Sequence, residues 1–188
     1  MSWQHDKRQS DVFIPEIAAI LGCLFICEPP PVEDMENNTD LIVLGLGGLR
    51  FACRVRDASY EQRYGDEFTI RSGRPNGVKT ELRKVLEGWG DYIFYGFGCK
   101  ESGRLTKWAV GDLKVLRIYF SEYLTTNGGN VPGQENANHD GSSTFRAFKW
   151  AELPTGFVFA NSDYNELPEW MSSRQPIDCP TIRPGRLF

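Results

Sequence analysis

The residues most suited to binding or chemistry lie between positions 50 and 84, where basic side chains outnumber acidic ones. Nine lysines and arginines stand against five aspartates and glutamates, so this segment carries +4 inside a chain whose formal net charge is −4. Such a local reversal of charge favours an anion-binding surface, whereas the acidic chain as a whole gives no general attraction to nucleic acid. The charged candidates in this segment are Arg54, Arg56, Glu67, Arg71, Lys79, Glu81 and Lys84.

Arg54 and Arg56 are two positions apart in an apolar, β-prone run, and side chains with this spacing share one face of a strand. Further along, Glu67, Thr69 and Arg71 alternate with apolar residues in the same way. If the two strands are neighbours, their polar side chains lie on one side of a sheet. Two interpretations stay open: arginine forks that bind phosphate, or arginines paired with Glu67 in an internal salt-bridge network.

The elements that would position these residues follow from apolar periodicity and from turn signals. The first half of the chain predicts a helix over 12–25 with Pro15 in its first turn, a hairpin over 41–55 that turns near Gly47 and Gly48, and a strand from Phe68 to Arg71. A helix from Lys79 to Glu87, ended by Gly88, and an aromatic interior strand over 91–98 follow. The next predicted elements are a strand over 105–110, a helix or turn from Gly111 to Arg117 and a strand from Ile118 to Tyr123. The polar stretch 125–144 predicts a mobile loop, and the aromatic residues of 145–159 predict docking onto the core.

The order helix, three strands, helix, strand resembles the common core of the PD-(D/E)XK nuclease superfamily, with archaeal Holliday-junction resolvases as the nearest likeness. The resemblance spans residues 11–117 and implies an α/β fold with a restriction-endonuclease-like αβββαβ core, a mixed central sheet and a C-terminal extension over 118–188. In that family a helical Glu, an Asp at the head of the hairpin and a Glu-x-Lys on the next strand surround Mg²⁺. Glu16 matches the helical acid and Asp40 the hairpin Asp, whereas Arg54 and Arg56 stand at the Glu-x-Lys positions.

The resemblance implies a metal site that lacks its usual strand carboxylate. Asp40 would anchor Mg²⁺ or Mn²⁺, because hard cations prefer carboxylate oxygens. The further metal ligands would be Glu16, Glu67 and Glu81, and the catalytic set would be Asp40, Glu67, Glu81 and Lys79. Each acid also has an ordinary structural interpretation, such as Glu81 stabilising the positive end of a helix.

Three functions therefore remain open. One is a PD-(D/E)XK-like nuclease that hydrolyses DNA phosphodiester bonds with a divalent metal. Another is a catalytically inactive module on the same fold that binds nucleic acid or a protein through an arginine-rich face. The binding residues in these two cases would be Arg54, Arg56, Arg71 and Lys84. The third is a purely protein-directed adaptor that makes its contacts through the acidic loop around Glu33 to Glu36 and the C-terminal tail. DNA is the expected partner, and a homodimer or a protein partner stays open.

The composition limits the class of protein. A chain of 188 residues fits one domain with its own hydrophobic core. The five cysteines are odd in number and include no CxxC pair, so a reduced, cytoplasmic protein is expected. The longest apolar run, over 17–27, is too short to span a bilayer, and no membrane partner is expected.

Overall fold

The computed structural model describes residues 11–21, 26–27, 39, 41–43 and 49–162. Asp40 and the predicted turn at Gly47 and Gly48 lie outside these ranges. Within them, no helix is both long enough and apolar enough to cross a membrane.

The described residues form four α-helices, two 3-10 turns and nine strands. The helices are α1 (Ile14–Ile20), α2 (Glu61–Tyr64), α3 (Glu81–Leu86) and α4 (Leu113–Thr126), with 3-10 turns at Ala58–Tyr60 and Trp150–Glu152. The strands are β1 (Ile26–Cys27), β2 (Leu41–Val43), β3 (Leu49–Asp57), β4 (Glu67–Gly73), β5 (Tyr92–Cys99), β6 (Arg104–Asp112), β7 (Gln134–Ala137), β8 (Thr144–Lys149) and β9 (Val158–Asn161).

The strands form two sheets. The central sheet has six strands in the order β1-β2-β3-β5-β6-β9, and the second has three strands in the order β4-β8-β7. Strands β3 and β5 run parallel, whereas the other described pairs are antiparallel. The predicted α/β class with a mixed central sheet is therefore confirmed.

Several local predictions are confirmed. Pro15 lies in the first turn of α1, where its missing N–H leaves no hydrogen bond unmade. Gly88 follows α3 with a φ of 97° and donates its N–H to the Val85 carbonyl, as expected of a glycine after a helix end. Strand β5 lies between two neighbours and has six buried positions out of eight, which explains its two-sided apolar sequence.

The predicted position of the third strand is wrong. A strand does form at 67–73, but β4 belongs to the second sheet and pairs with β8 rather than with β3. Phe68 of β4 and Phe148 of β8 are both buried, with ring centroids 6.1 Å apart. The alternating pattern predicts that residues 67–73 are extended. It does not predict the partner strand, because the pairing depends on packing against a segment far along the chain.

The two faces of the central sheet cover different elements. We call the inner face the one that carries Ala52, Arg54 and Arg56. The parallel pairs on it are Ala52 with Ile93, Arg54 with Tyr95 and Arg56 with Phe97. The core on this face is completed from α3, α4 and the second sheet by Leu82, Leu116, Phe120, Phe68 and Phe148. The opposite face packs on α1 through Phe13, Ile17, Phe51 and Phe94. Arg54 and Arg56 are thus directed between two layers and not onto an open sheet surface.

Two predictions after residue 117 are wrong. Residues 118–123 belong to helix α4 and not to a strand, because Asp112 caps the helix and Leu113, Leu116 and Phe120 repeat at helical spacing on its buried side. The predicted loop 125–144 contains strand β7.

The predicted docking of the C-terminal aromatics is confirmed for Phe148 and Phe157, which are buried in the core.

Candidate functional site

The centre of the candidate site is an ion pair between β3 and α3. The Nη1 atom of Arg54 donates to Oε2 of Glu81 at 2.6 Å, and each side chain is 22% exposed. The backbone N–H of Arg71, on β4, donates to the same oxygen at 3.2 Å. Glu81 therefore joins a strand of the central sheet to a strand of the second sheet.

The start of helix α3 places Glu81 at this junction. Thr80 is the N-cap, and its hydroxyl accepts from the Arg83 N–H at 3.5 Å. The same hydroxyl donates to the Ser72 carbonyl on β4 at 3.3 Å. Because Thr80 fastens the first turn of α3 to the end of β4, the next side chain, Glu81, is held against the inner face.

The electrostatics of the pair favour its charged form. Burial alone would raise the pKa of Glu81, but the charges of Arg54 and Arg71 and the hydrogen bonds from the Arg71 N–H and from Arg54 outweigh it and lower the pKa to about 2. Burial opposes the charge of Arg54 as well, yet Glu81 raises the pKa of Arg54 above its usual value. Both arginines thus hold Glu81 in its charged form near neutral pH.

Arg56, also on β3, is held by aromatic rings. The guanidinium carbon of Arg56 lies 5.2 Å from the ring centroid of Tyr60, 5.1 Å from that of Tyr64 and 5.7 Å from that of Phe97. These distances are those of cation–π contacts. The Nη1 atom of Arg56 is buried and has no hydrogen-bond partner among the residues that the structure describes.

The turn after β3 brings the two tyrosines over Arg56. The Asp57 carboxylate accepts from the Ser59 N–H at 3.0 Å and caps the 3-10 turn Ala58–Tyr60, and α2 follows directly. Tyr60 and Tyr64 are four residues apart, so they lie on one side of the helical segment. Their ring centroids are 6.3 Å apart and the rings are tilted by 41°, and the Arg56 guanidinium lies to one side of the line that joins the two centroids.

The remaining predicted site residues have other partners. Glu67 lies 3.3 Å from the Lys149 ammonium, and Lys79 lies 2.7 Å from a Glu87 oxygen. Lys84 is buried, with 7% of its surface exposed. Glu16 accepts from the Leu105 N–H at 2.6 Å and pairs with Arg104 at 3.5 Å. The predicted pairing of the β3 arginines with Glu67 is therefore replaced by pairing of Arg54 with Glu81.

The described carboxylates are not brought together. Glu16 is on α1, which packs against the opposite face of the central sheet from Glu81. The Glu81 carboxylate sits at the Arg71 N–H, and Glu67 lies four residues back along β4, a distance of about 13 Å in a strand. A shared divalent ion needs oxygens about 2.0 to 2.6 Å from the metal, so these three acids do not fit one. No group of three or more His, Cys, Asp or Glu that could hold a metal occurs within the described ranges. A role for Asp40, which lies outside them, stays a prediction.

The sequence interpretation missed the aromatic surroundings of Arg56. Tyr60 and Tyr64 follow the strand at a spacing of four, and Arg63 lies between them in sequence. That spacing was a usable signal, because aromatic residues four apart meet on one side of a helix. The partner that no local pattern reveals is Phe97, which arrives from the parallel neighbour β5.

Comparison of the chain with protein-family models, with curated proteins and with solved structures gives no significant match. Functional inference therefore depends on the site itself.

Proposed function

We propose that this protein binds nucleic acid through the solvent-accessible part of the cluster formed by Arg54, Glu81 and Arg71, and does so without a catalytic metal. The observation that carries the proposal is that two arginines, Arg54 and Arg71, lie beside the single carboxylate of Glu81. By the endonuclease resemblance, Arg54 stands at a metal-site position, and here it supplies the positive charge that a metal would otherwise bring. Arginine binds phosphate directly and needs no cation as a bridge.

The endonuclease-like core itself is part of this proposal. With β1, β2 and β3 as the three antiparallel strands, the order α1-β1-β2-β3-α3-β5 is compatible with the αβββαβ pattern. Strand β4 is then an insertion that builds the second sheet with β7 and β8. In this arrangement Arg54 and Arg56 keep the positions that the resemblance assigned to them.

The cluster has spare capacity for an anion. A guanidinium carries five N–H donors in a fixed fork, and the bond to Glu81 engages Nη1 of Arg54. Glu81 fixes the orientation of that fork, which lowers the entropy lost when a phosphate binds. Arg71 adds a second positive charge beside the same carboxylate.

Binding of fluorescently labelled oligonucleotides to the full chain, measured by anisotropy in EDTA over a range of salt concentrations, tests the proposal. We expect binding that weakens linearly with log salt, with a slope of about −0.7 to −0.9 per phosphate contact. Arg71→Gln should reduce affinity and make the slope shallower by about 1. Arg104→Gln is the matched control, because Arg104 is exposed and pairs with Glu16 on the other face of the sheet.

Three results would overturn the proposal. The first is an absence of binding at low salt. The second is an equal loss of affinity in Arg71→Gln and Arg104→Gln, which would locate the contact elsewhere. The third is cleavage of DNA in Mn²⁺ that Asp40→Ala abolishes, because that result supports the metal-dependent nuclease predicted from the resemblance.

A further inference from the structure

Two tyrosines and two arginines lie close together at the end of β3 and in the helical segment that follows it. The Arg56 guanidinium carbon lies beside the rings of both Tyr60 and Tyr64, and the Arg63 guanidinium carbon lies 5.1 Å from the ring centroid of Tyr64. Tyr64 therefore contacts both arginines, and Tyr60 contacts Arg56. We call these four residues the stacking cluster.

The cluster presents flat surfaces to solvent. Tyr60 is 50% exposed, a large value for an aromatic side chain, and Arg63 is also exposed. The two tyrosine rings are tilted by 41° and do not stack on one another. The 3-10 turn and α2 fix the backbone at Tyr60 and Tyr64. A flat ligand can therefore pack on the exposed side of a tyrosine ring without the protein first having to order that ring.

Arg56 gives the cluster a charge that the described part of the chain does not neutralise with a carboxylate. Its guanidinium is held by rings, and its buried Nη1 has no acceptor among the described residues. The acid of α2, Glu61, is instead engaged by the Thr106 hydroxyl. A buried donor without a protein acceptor is uncommon in folded proteins, and its acceptor is then an ordered water or a bound ligand.

We infer that the stacking cluster binds the bases of single-stranded nucleic acid, with Tyr60 as the principal stacking residue and Arg56 as the donor to a base or phosphate oxygen. The inference rests on the proposed function and specifies its ligand. Aromatic rings stack on bases of any sequence, but only where the base faces are not already covered by a paired duplex. Arg56 also connects the two parts of the surface, because it is two residues from Arg54 on the same face of β3.

Anisotropy with labelled oligo-dT and with a duplex of equal length, both in EDTA, tests this inference on the full chain. We expect tighter binding of the single strand, and Tyr60→Ala should weaken that binding about tenfold or more. Tyr60→Phe keeps the ring and should bind almost as the unaltered protein does. Trp89→Ala is the control for loss of an exposed aromatic outside the cluster, and thermal unfolding confirms that each variant is folded.

The outcomes separate this inference from the function on which it rests. Equal affinity for duplex and single strand, with no effect of Tyr60→Ala but a loss in Arg71→Gln, overturns the stacking inference and leaves the proposed function in place. Poly-glutamate that binds as tightly as oligo-dT also overturns it, because an acidic chain has no bases to stack. Failure of every oligonucleotide to bind at low salt overturns both.

Discussion

Glu81→Gln should remove a large pH-dependent contribution to stability. The pKa of Glu81 is about 2 in the folded protein and 4.5 without its partners, so the unfolded chain binds this proton more tightly. The stabilisation is therefore fully present well above pH 4.5 and is lost as the pH falls toward 2. The Glu81→Gln variant would have no such dependence at this position, because an amide does not titrate in this range.

The size of the effect follows from the two pKa values. One pKa unit corresponds to about 1.4 kcal/mol, so lowering the pKa of Glu81 from 4.5 to about 2 is worth about 3 kcal/mol in total. Integrated over the titration, about 2 kcal/mol of this is lost between pH 7 and pH 3, and the rest at lower pH. The carboxylate is mostly shielded, at 22% exposed, so solvent screening leaves most of the effect in place.

Urea unfolding at a series of pH values between 7 and 3 measures this contribution. Other acids with a lowered pKa, such as Asp57 and Asp66, titrate in the same range, so the quantity to compare is the difference between the unaltered protein and the variant. Glu87→Gln is the control: the pKa of Glu87 is also lowered, by Lys79 and Arg83, but at an exposed position where water screens the pairs. Parallel curves for the unaltered protein and Glu81→Gln would refute the reasoning, because the ion pair would then add nothing to stability.

Three further substitutions test the packing and capping that position the site. Asp112 accepts hydrogen bonds from the first N–H groups of α4, so Asp112→Ala should lower the free energy of unfolding by about 1 kcal/mol, whereas Asp112→Asn should change it little. Equal losses in the two variants would contradict the capping role. Gly111→Ala should lower the free energy of unfolding in urea by about 1 to 3 kcal/mol, because the new Cβ would lie 2.6 Å from the Phe157 ring. Unchanged stability would mean that the ring moves freely. Phe68→Ala should cost about 3 to 5 kcal/mol by the same measurement, since this ring is fully buried between the sheets, and a loss below about 1 kcal/mol would contradict that packing.

The sequence predicts those parts of the fold that depend on residues close together in the chain, and not the contacts between distant segments. Strand β3 was predictable because its alternation of side chains lies within nine residues. The partner of β4 was not, because β8 begins at Thr144, about seventy residues further along the chain, and an alternating pattern does not specify which strand it pairs with. Helix α4 was predicted in part as a strand because Ile118, Tyr119 and Phe120 favour β-structure by type, but the cap at Asp112 and the helical spacing of the buried residues decide otherwise.

The candidate site was predictable in its components and not in its pairing. Arg54, Arg71 and Glu81 were all singled out from the sequence, and a salt-bridge network was one of the two interpretations. The acid that pairs with Arg54 comes from the helix and not from the next strand, because Thr80 ties the start of α3 to Ser72. Such a contact depends on where a helix begins to within one residue, which sequence patterns do not specify.

Arg54 and Arg56, both on the inner face of β3, have different surroundings. Arg54 has a carboxylate partner, so its burial is offset by an ion pair and hydrogen bonds. Arg56 has three aromatic rings and a buried Nη1 without an acceptor in the described part of the chain. An unsatisfied buried donor costs about 1 to 3 kcal/mol, and the three cation–π contacts offset part of that cost. The proposed nucleic-acid ligand would supply the acceptor that this donor lacks, so the Tyr60 and Arg71 variants together test whether the two arginines serve one binding surface.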